Sequence, residues 1–340
     1  MRGGKMRRQS TILVIICSLP FILSLTGCSK ARQQPKELSL QEELSIGVES
    51  GDEYEMFSEI GDVSLDSEEN IYILDSKEGK VHKYDTNGNF LKSLEVKRGE
   101  GPREASYLHR LSVTQKGRVF VLDMNTGKIL VFNEEFEWVR SFKTDFRSID
   151  ILPYSEEKFI IFGIKDDNVF HIFDEEGNLL ESFGETFEIP PEYLEYKNVP
   201  LAKLPRRADI NADGRIYLVN LHKYEIRVYE DKKVHHVIKE ESEFFTPFKV
   251  VFSENTDDGV QRISMSFPYV SVLEHGKKLY VTMMVLEEDE PNHLDVFENG
   301  KLIASQKIVG FALAIDKKGR LYIVESEDYP RVVRASVEYK

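Results

Sequence analysis

The 340-residue chain contains two cysteines, Cys17 and Cys28, and one tryptophan, Trp138. Cys17 lies inside an apolar leader, so a processed chain keeps at most one thiol, and disulfides and Cys-rich zinc sites are excluded. Stability must come from packing alone. Basic residues are also in short supply: 45 Lys and Arg stand against 59 Asp and Glu, a net charge of −14. Such a chain repels phosphate backbones as a whole, which argues against nucleic acid as a partner. No apolar run follows the leader, which excludes a sensor kinase with a later membrane span. Catalytic signatures are missing too: there is no Gly-x-Ser-x-Gly, no His-Glu-x-x-His and no P-loop.

What is present begins at the N-terminus. Arg2, Lys5, Arg7 and Arg8 precede an apolar run over residues 11–25 that contains Pro20. A basic region, a short apolar region and small residues make a secretory signal rather than a membrane span. The tetrad Leu25-Thr-Gly-Cys28 resembles the lipobox of bacterial lipoproteins. That resemblance implies cleavage before Cys28, acylation of Cys28 and attachment to a membrane of the cell envelope. Residues 1–27 carry four basic and no acidic side chains, so their loss moves the charge from −14 to −18. Residues 28–37 are polar and read as a tether. Residues 38–46 alternate weakly and read as a lone strand.

From there on the chain repeats. Asp66-Ser-Glu-Glu-Asn70-Ile-Tyr-Ile-Leu-Asp75 followed by Val81-His-Lys-Tyr-Asp85-Thr-Asn-Gly88 reads as turn, strand, loop, strand, turn. Related second strands begin at Gly117, Lys158, Gly214, Lys278 and Gly319, each with an inner strand before it and a third strand after it. Turns such as Asn87-Gly88 and Asn299-Gly300 lead into fourth strands. Four antiparallel strands, recurring six times at roughly 40–60 residues, predict an all-β six-bladed β-propeller. The sixth unit lacks a fourth strand because the chain ends. The strand at 38–46 is therefore expected to close the ring within the last blade, removing an open sheet edge.

The repeats resemble NHL-type repeats in the Asp66 and Asp316 turns, the Ile-Tyr-Ile/Val strands and the Tyr-Asp-x-x-Gly segment. The loop Gly99-Glu-Gly-Pro-Arg103-Glu resembles the segment between NHL blades, departing from it at Arg103 and Ala105. With the lipobox, the whole resembles bacterial six-bladed propeller lipoproteins. That likeness implies a fold more than an activity.

Strand parity assigns the loops. Four antiparallel strands start and end on one face, so all inter-blade connections share a face with the loops between second and third strands. The long connections 97–108, 184–204 and 241–268 must crowd one mouth, where binding residues usually reside. Arg98, Arg103, His109, Arg110, Arg147, Arg206 and Arg207 fall there or at the start of inner strands, with Tyr269 nearby. Arg110 and Arg207 share one register. Arginines clustered on an acidic chain suit a carboxylate, phosphate or acidic sugar; the alternative is pairing with Glu59, Asp62, Asp150 or Asp209. Phe187, Tyr193, Tyr196, Phe244, Phe245, Phe248 and Phe267 could stack on sugars or a partner protein, or pack the loops down. Glu287 to Glu290 is an acidic run without EF-hand spacing. His235 and His236, adjacent in a strand, are expected on opposite faces. Trp138 opens a fourth strand and reads as packing.

The function these features favour is a lipid-anchored, non-enzymatic binding module for a small anionic or glycan-derived ligand or an envelope protein. The first alternative is a hydrolase resembling the calcium-dependent propeller lactonases, whose single metal would be held by acids such as Glu59, Asp62, Asp150 and Asp209. The second is a structural partner in an envelope complex.

Overall fold

A computed structural model of the chain describes residues 35–196, 207–211, 213–220, 222–240, 245, 249–255, 261–266, 270–284 and 291–340. The first strand, β1 (Leu38–Ile46), is followed by six units. Blade 1 is β2 (Ile60–Leu65), β3 (Ile71–Asp75), β4 (Lys80–Tyr84) and β5 (Phe90–Glu95). A two-residue pair, β6 (Lys97–Arg98) and β7 (Glu104–Ala105), sits in the connection to blade 2, formed by β8 (Leu108–Val113), β9 (Val119–Asp123), β10 (Lys128–Phe132) and β11 (Trp138–Lys143). Blade 3 holds β12 (Ser148–Pro153), β13 (Lys158–Lys165), β14 (Asn168–Asp174) and β15 (Leu179–Glu185), followed by a 3₁₀ turn at Pro191–Tyr196. Blade 4 holds β16 (Arg207–Ile210), β17 (Ile216–Val219), β18 (Glu225–Glu230) and β19 (Lys233–Lys239). A hairpin of β20 (Lys249–Asn255) and β21 (Gln261–Ser266) precedes blade 5, made of β22 (Val270–His275), β23 (Lys278–Met283), β24 (Asn292–Glu298) and β25 (Lys301–Ile308). Blade 6 has β26 (Phe311–Ile315), β27 (Leu321–Glu325) and β28 (Arg331–Tyr339).

The sixth sheet runs β1-β28-β27-β26, so the N-terminal strand supplies the missing outer strand, as the sequence predicts. Leu38 lies opposite Tyr339 and Ile46 opposite Val332. The tether ends earlier than expected: Lys36 already bridges blade 5, its N–H donating to the Ile303 carbonyl at 2.8 Å. Neighbouring inner strands touch in the order β2, β8, β12, β16, β22, β26 and back to β2, which closes the ring.

The core consists of six wedges, one at each blade boundary. Tyr72, Leu74 and Val81 of blade 1 pack on Leu111, Val121 and Leu130 of blade 2, and the pattern repeats until Leu313 and Tyr322 of blade 6 meet Val63 and Ile73 of blade 1. Each second strand is buried on both faces, which is why β3 and β9 read as unbroken apolar runs.

Repeated turn chemistry sets the blade geometry. Asp66, Asn211 and Asp316 each accept two backbone N–H groups two and four residues ahead. These are Asx turns, and they explain the acid or amide before the second strands of blades 1, 4 and 6; Thr114 takes the place in blade 2, accepting the Arg118 N–H at 3.2 Å. Asn299-Gly300, with φ of 51° and 72°, forms the tight two-residue hairpin the dipeptide predicts.

Bulges occur on both edges of the blades. Every outer strand from blade 1 to blade 5 skips one residue after its first or second pair: Leu91, Val139, Leu180, His235 and Ile303. A bulge twists an edge away from pairing with another chain. It also corrects the expectation for the histidine pair. Because His235 is the bulged residue, strict alternation fails, the two rings stand 5.2 Å apart, and both line one small cavity between blades 4 and 5. Among the described residues no group of three His, Cys, Asp or Glu side chains could hold a metal ion.

Candidate functional site: a charged belt inside the ring

The inner strands place one residue each at a common register. Pairing with Leu74, Leu122, Phe162, Val219, Thr282 and Val324 of the second strands identifies these as Asp62, Arg110, Asp150, Arg207, Ser271 and Phe311. Acid and base therefore alternate over four consecutive blades. In blades 1 to 3 the residue just before it, Gly61, His109 or Ile149, is bulged out of the ladder. The position lies near the start of each inner strand, just inside the face that carries the inter-blade connections.

The belt is dense. Asp150 Oδ2 lies 2.9 Å from Arg207 Nη1 and 3.6 Å from Arg110 Nε, so two guanidinium groups share one carboxylate. Arg110 also donates to the His109 carbonyl at 3.1 Å. Asp62 accepts the N–H of Leu111 from the next blade at 3.1 Å, and Ser64 accepts that of Val113 at 3.2 Å. These two side chains cap part of the open inner edge of β8, whose backbone donors would otherwise lack partners. Asp209, two residues after Arg207, lines the same channel.

Charge balance follows from burial. Burial pushes the Asp62 carboxyl up, against the pull of Arg207 and Arg110. Burial raises Asp209 to about 7, again opposed by Arg207. Burial, then Arg110 and Arg207, drive the His109 imidazole down to about 3. His109 is thus neutral at physiological pH. Arg110 and Arg207 face the one carboxylate of Asp150, and burial works against ionisation of Asp62 and Asp209, so positive charge collects at the belt on a chain that is acidic overall.

The candidate residues separate into groups. His109, Arg110 and Arg207 come together at the belt. Arg103 does not: its guanidinium lies 4.5 Å over the ring of Trp138, on the outer strand of blade 2. Arg98 donates to the Lys77 carbonyl at 2.7 Å. Arg147 is exposed in the short connection between blades 2 and 3. Cys28, Arg206 and Tyr269 lie outside the described residues, as do Phe244, Phe248, Phe267, the run Glu287 to Glu290 and the side chain of Tyr196. The aromatics that are described pack the loops down: Phe187 is buried beneath the Arg227 guanidinium at 3.9 Å, the Tyr193 ring lies 4.8 Å from that of His222, and Phe245 stacks on Tyr224 at 5.4 Å.

A calcium ion suits this donor set poorly. Its ligands would have to come from Glu59, Asp62, Asp150 and Asp209, yet Glu59 accepts from the Tyr107 hydroxyl at 2.5 Å, Asp150 is committed to two arginines, and burial favours the protonated form of Asp62 and Asp209. Ca²⁺ needs six to eight oxygens and no cation among them.

Two kinds of residue escaped the sequence reading. Asp75 and Asp123 end their second strands fully buried and tie down the preceding connections: Asp75 accepts from Ser58 N–H at 2.6 Å, Asp123 from Ser106 N–H at 2.7 Å. Their shared place in Ile-Leu-Asp and Val-Leu-Asp was the available signal. Lys128 is the other. Its buried ammonium donates to the carbonyls of Glu100, Gly101 and Glu104 at 3.1, 2.9 and 2.7 Å, and nothing in the sequence marks it.

Known proteins resemble this architecture. A Bacteroides fragilis protein described as exported aligns with TM-score 0.58 at 13% identity, covering 89% of this chain and 95% of that one. A Bacteroides vulgatus protein of the duf4221 family aligns with TM-score 0.58 at 11% identity, covering 90% and 100%. Virginiamycin B lyase from Staphylococcus aureus, solved with quinupristin, aligns with TM-score 0.51 at 10% identity, covering 88% and 99%. At these identities the likeness concerns the fold alone. No curated protein matches the chain in sequence. Residues 46–319 match the family described as 6-bladed beta-propeller, and the chain belongs to that family.

Proposed function

We propose that the protein is exported, held on a cell-envelope membrane through acylated Cys28, and serves as a non-enzymatic binding module for a small anionic or glycan-derived ligand. The observation that carries this reading is the pair of arginines, Arg110 and Arg207, converging on the single carboxylate of Asp150 beneath the face that bears the long connections. A ligand carboxylate or phosphate could take up the surplus positive charge with bidentate geometry, which Arg favours. The leader and the Leu25-Thr-Gly-Cys28 tetrad support the anchor.

Calorimetric titration of the mature domain with uronic acids, sialic acid and sugar phosphates tests the ligand. Saturable binding is expected, weakened at least tenfold in Arg207→Gln and strengthened in Asp150→Asn, where the competing carboxylate is gone. A folded domain that binds none of them, or that binds equally well in Arg207→Gln, overturns the anionic reading; a protein captured from envelope extracts instead would favour the structural-partner role. For the anchor, metabolic labelling with a fatty-acid analogue should mark the wild type and leave Cys28→Ala unmarked and released from membranes.

A further inference from the structure

The opposite face of the ring, where first strands turn into second strands, carries a funnel with a volume of about 480 Å³. That lies within the range of about 300–1,000 Å³ common for small-molecule sites. Its wall is a second register ring. Leu65, Val113, Pro153, Ile210 and Ile315 are the last residues of their inner strands, one per blade, and all five also line the channel below. At its rim Glu69 and Glu156 stand against Lys317, while Asp66 and Asp316 are paired with Lys83 and Arg320.

Beneath the apolar ring, the channel of about 190 Å³ presents polar groups. Ser112 is 2% exposed, lines this channel, and its hydroxyl has no hydrogen-bond partner among the described residues. A buried hydroxyl without a partner is costly, so it signals a missing acceptor or donor. Asp209 and Ser64 line the same stretch. The funnel therefore pairs an apolar wall with hydrogen-bonding groups at its base, and its wall offers an anion no surplus of cations.

We propose that this funnel is a second binding site, opening on the face opposite the long connections and meeting the charged belt at its base, for a compact uncharged molecule with an apolar body and a hydroxyl group. The body would rest on Leu65, Val113, Ile210 and Ile315, and the hydroxyl would reach Ser112 and Asp209. Asp209 suits either polarity of that bond, since its carboxyl accepts when ionised and donates when protonated.

The test is methyl-resolved NMR of the mature domain titrated with benzyl alcohol, benzylamine and benzoate. Benzyl alcohol should shift the Leu65, Val113, Ile210 and Ile315 methyls saturably, with benzoate at least tenfold weaker and benzylamine between them. Ser112→Ala should weaken the alcohol about fivefold. Ile210→Trp should fill the funnel and abolish the shifts; Ile315→Phe does the same if the first variant fails to fold. Absence of methyl shifts up to the solubility limit, preference for benzoate, or undiminished binding in the filled variants each overturns the proposal. The wall residues Ile210 and Ile315 lie outside the belt, so loss of the methyl shifts in their filled variants with sugar-acid binding retained separates this proposal from the anionic one.

Discussion

Single residues in this ring act mostly by satisfying backbone groups that the repeat leaves open. Asp123 shows how. Burial alone would raise its carboxyl, yet the N–H groups of Ser106 and Thr126 and the Ser106 and Thr126 hydroxyls more than compensate and hold it below its usual range. Asp123→Ala should cost about 2–3 kcal/mol, because several buried donors lose their acceptor. Urea unfolding at pH 7 measures this. A depressed carboxyl stabilises above its unfolded pKa and loses that contribution as pH falls through the folded value, so the penalty of Asp123→Ala should shrink in acid. Asp209 behaves in the opposite sense. Its folded carboxyl holds a proton up to about pH 7, whereas the unfolded group releases it near 3.8. The stability this supplies is full below 3.8 and is lost as pH rises through 7. Asp209→Asn should therefore gain on the wild type by about 1–2 kcal/mol between pH 4 and pH 8, kept small because Asp209 is only half-buried. Thermal melts of both proteins across that range give the answer.

At the scale of strands and connections, legibility followed periodicity. Residues 38–46 could be read as a strand because they alternate, and their pairing with β28 because the sixth unit was one strand short. Arg110 and Arg207 could be placed in one register by counting back from the Asp66-type turn. Their common partner could not, because Asp150 meets them only once three blades are curved into a ring. The histidine pair failed for a local reason: a bulge breaks alternation, and no residue type announces one at His235. Lys128 was invisible since its three acceptors are backbone carbonyls, which every sequence offers everywhere. Lys128→Met should release the 99–104 loop, lowering stability by about 2–3 kcal/mol through three unmet acceptors. Limited proteolysis should then cut there first, at protease levels that leave the wild type intact.

The whole molecule depends on one seam. Five blades are built from contiguous chain, and the sixth joins residues almost 300 positions apart in sequence. Removing residues 35–46 would uncover the outer edge of β28 and expose the Leu38 contact with blades 5 and 6. The shortened chain should lose cooperative unfolding and associate through that edge. A synthetic peptide of residues 35–46 should restore a monomer, as analytical ultracentrifugation would show.

The seam also gives the ring an orientation. β1 runs antiparallel to β28 and begins beside the chain's last residue, where Lys340 N–H donates to the Glu37 carbonyl at 3.0 Å, at the end of blade 6 that carries the 316–320 turn. The described chain thus enters the ring at Pro35 on the funnel side. Six residues lie between Cys28 and Pro35, which can be at most about 25 Å apart. If the anchor proposed at Cys28 holds, so short a leash would favour a funnel that faces the bilayer and an arginine belt that faces away from it.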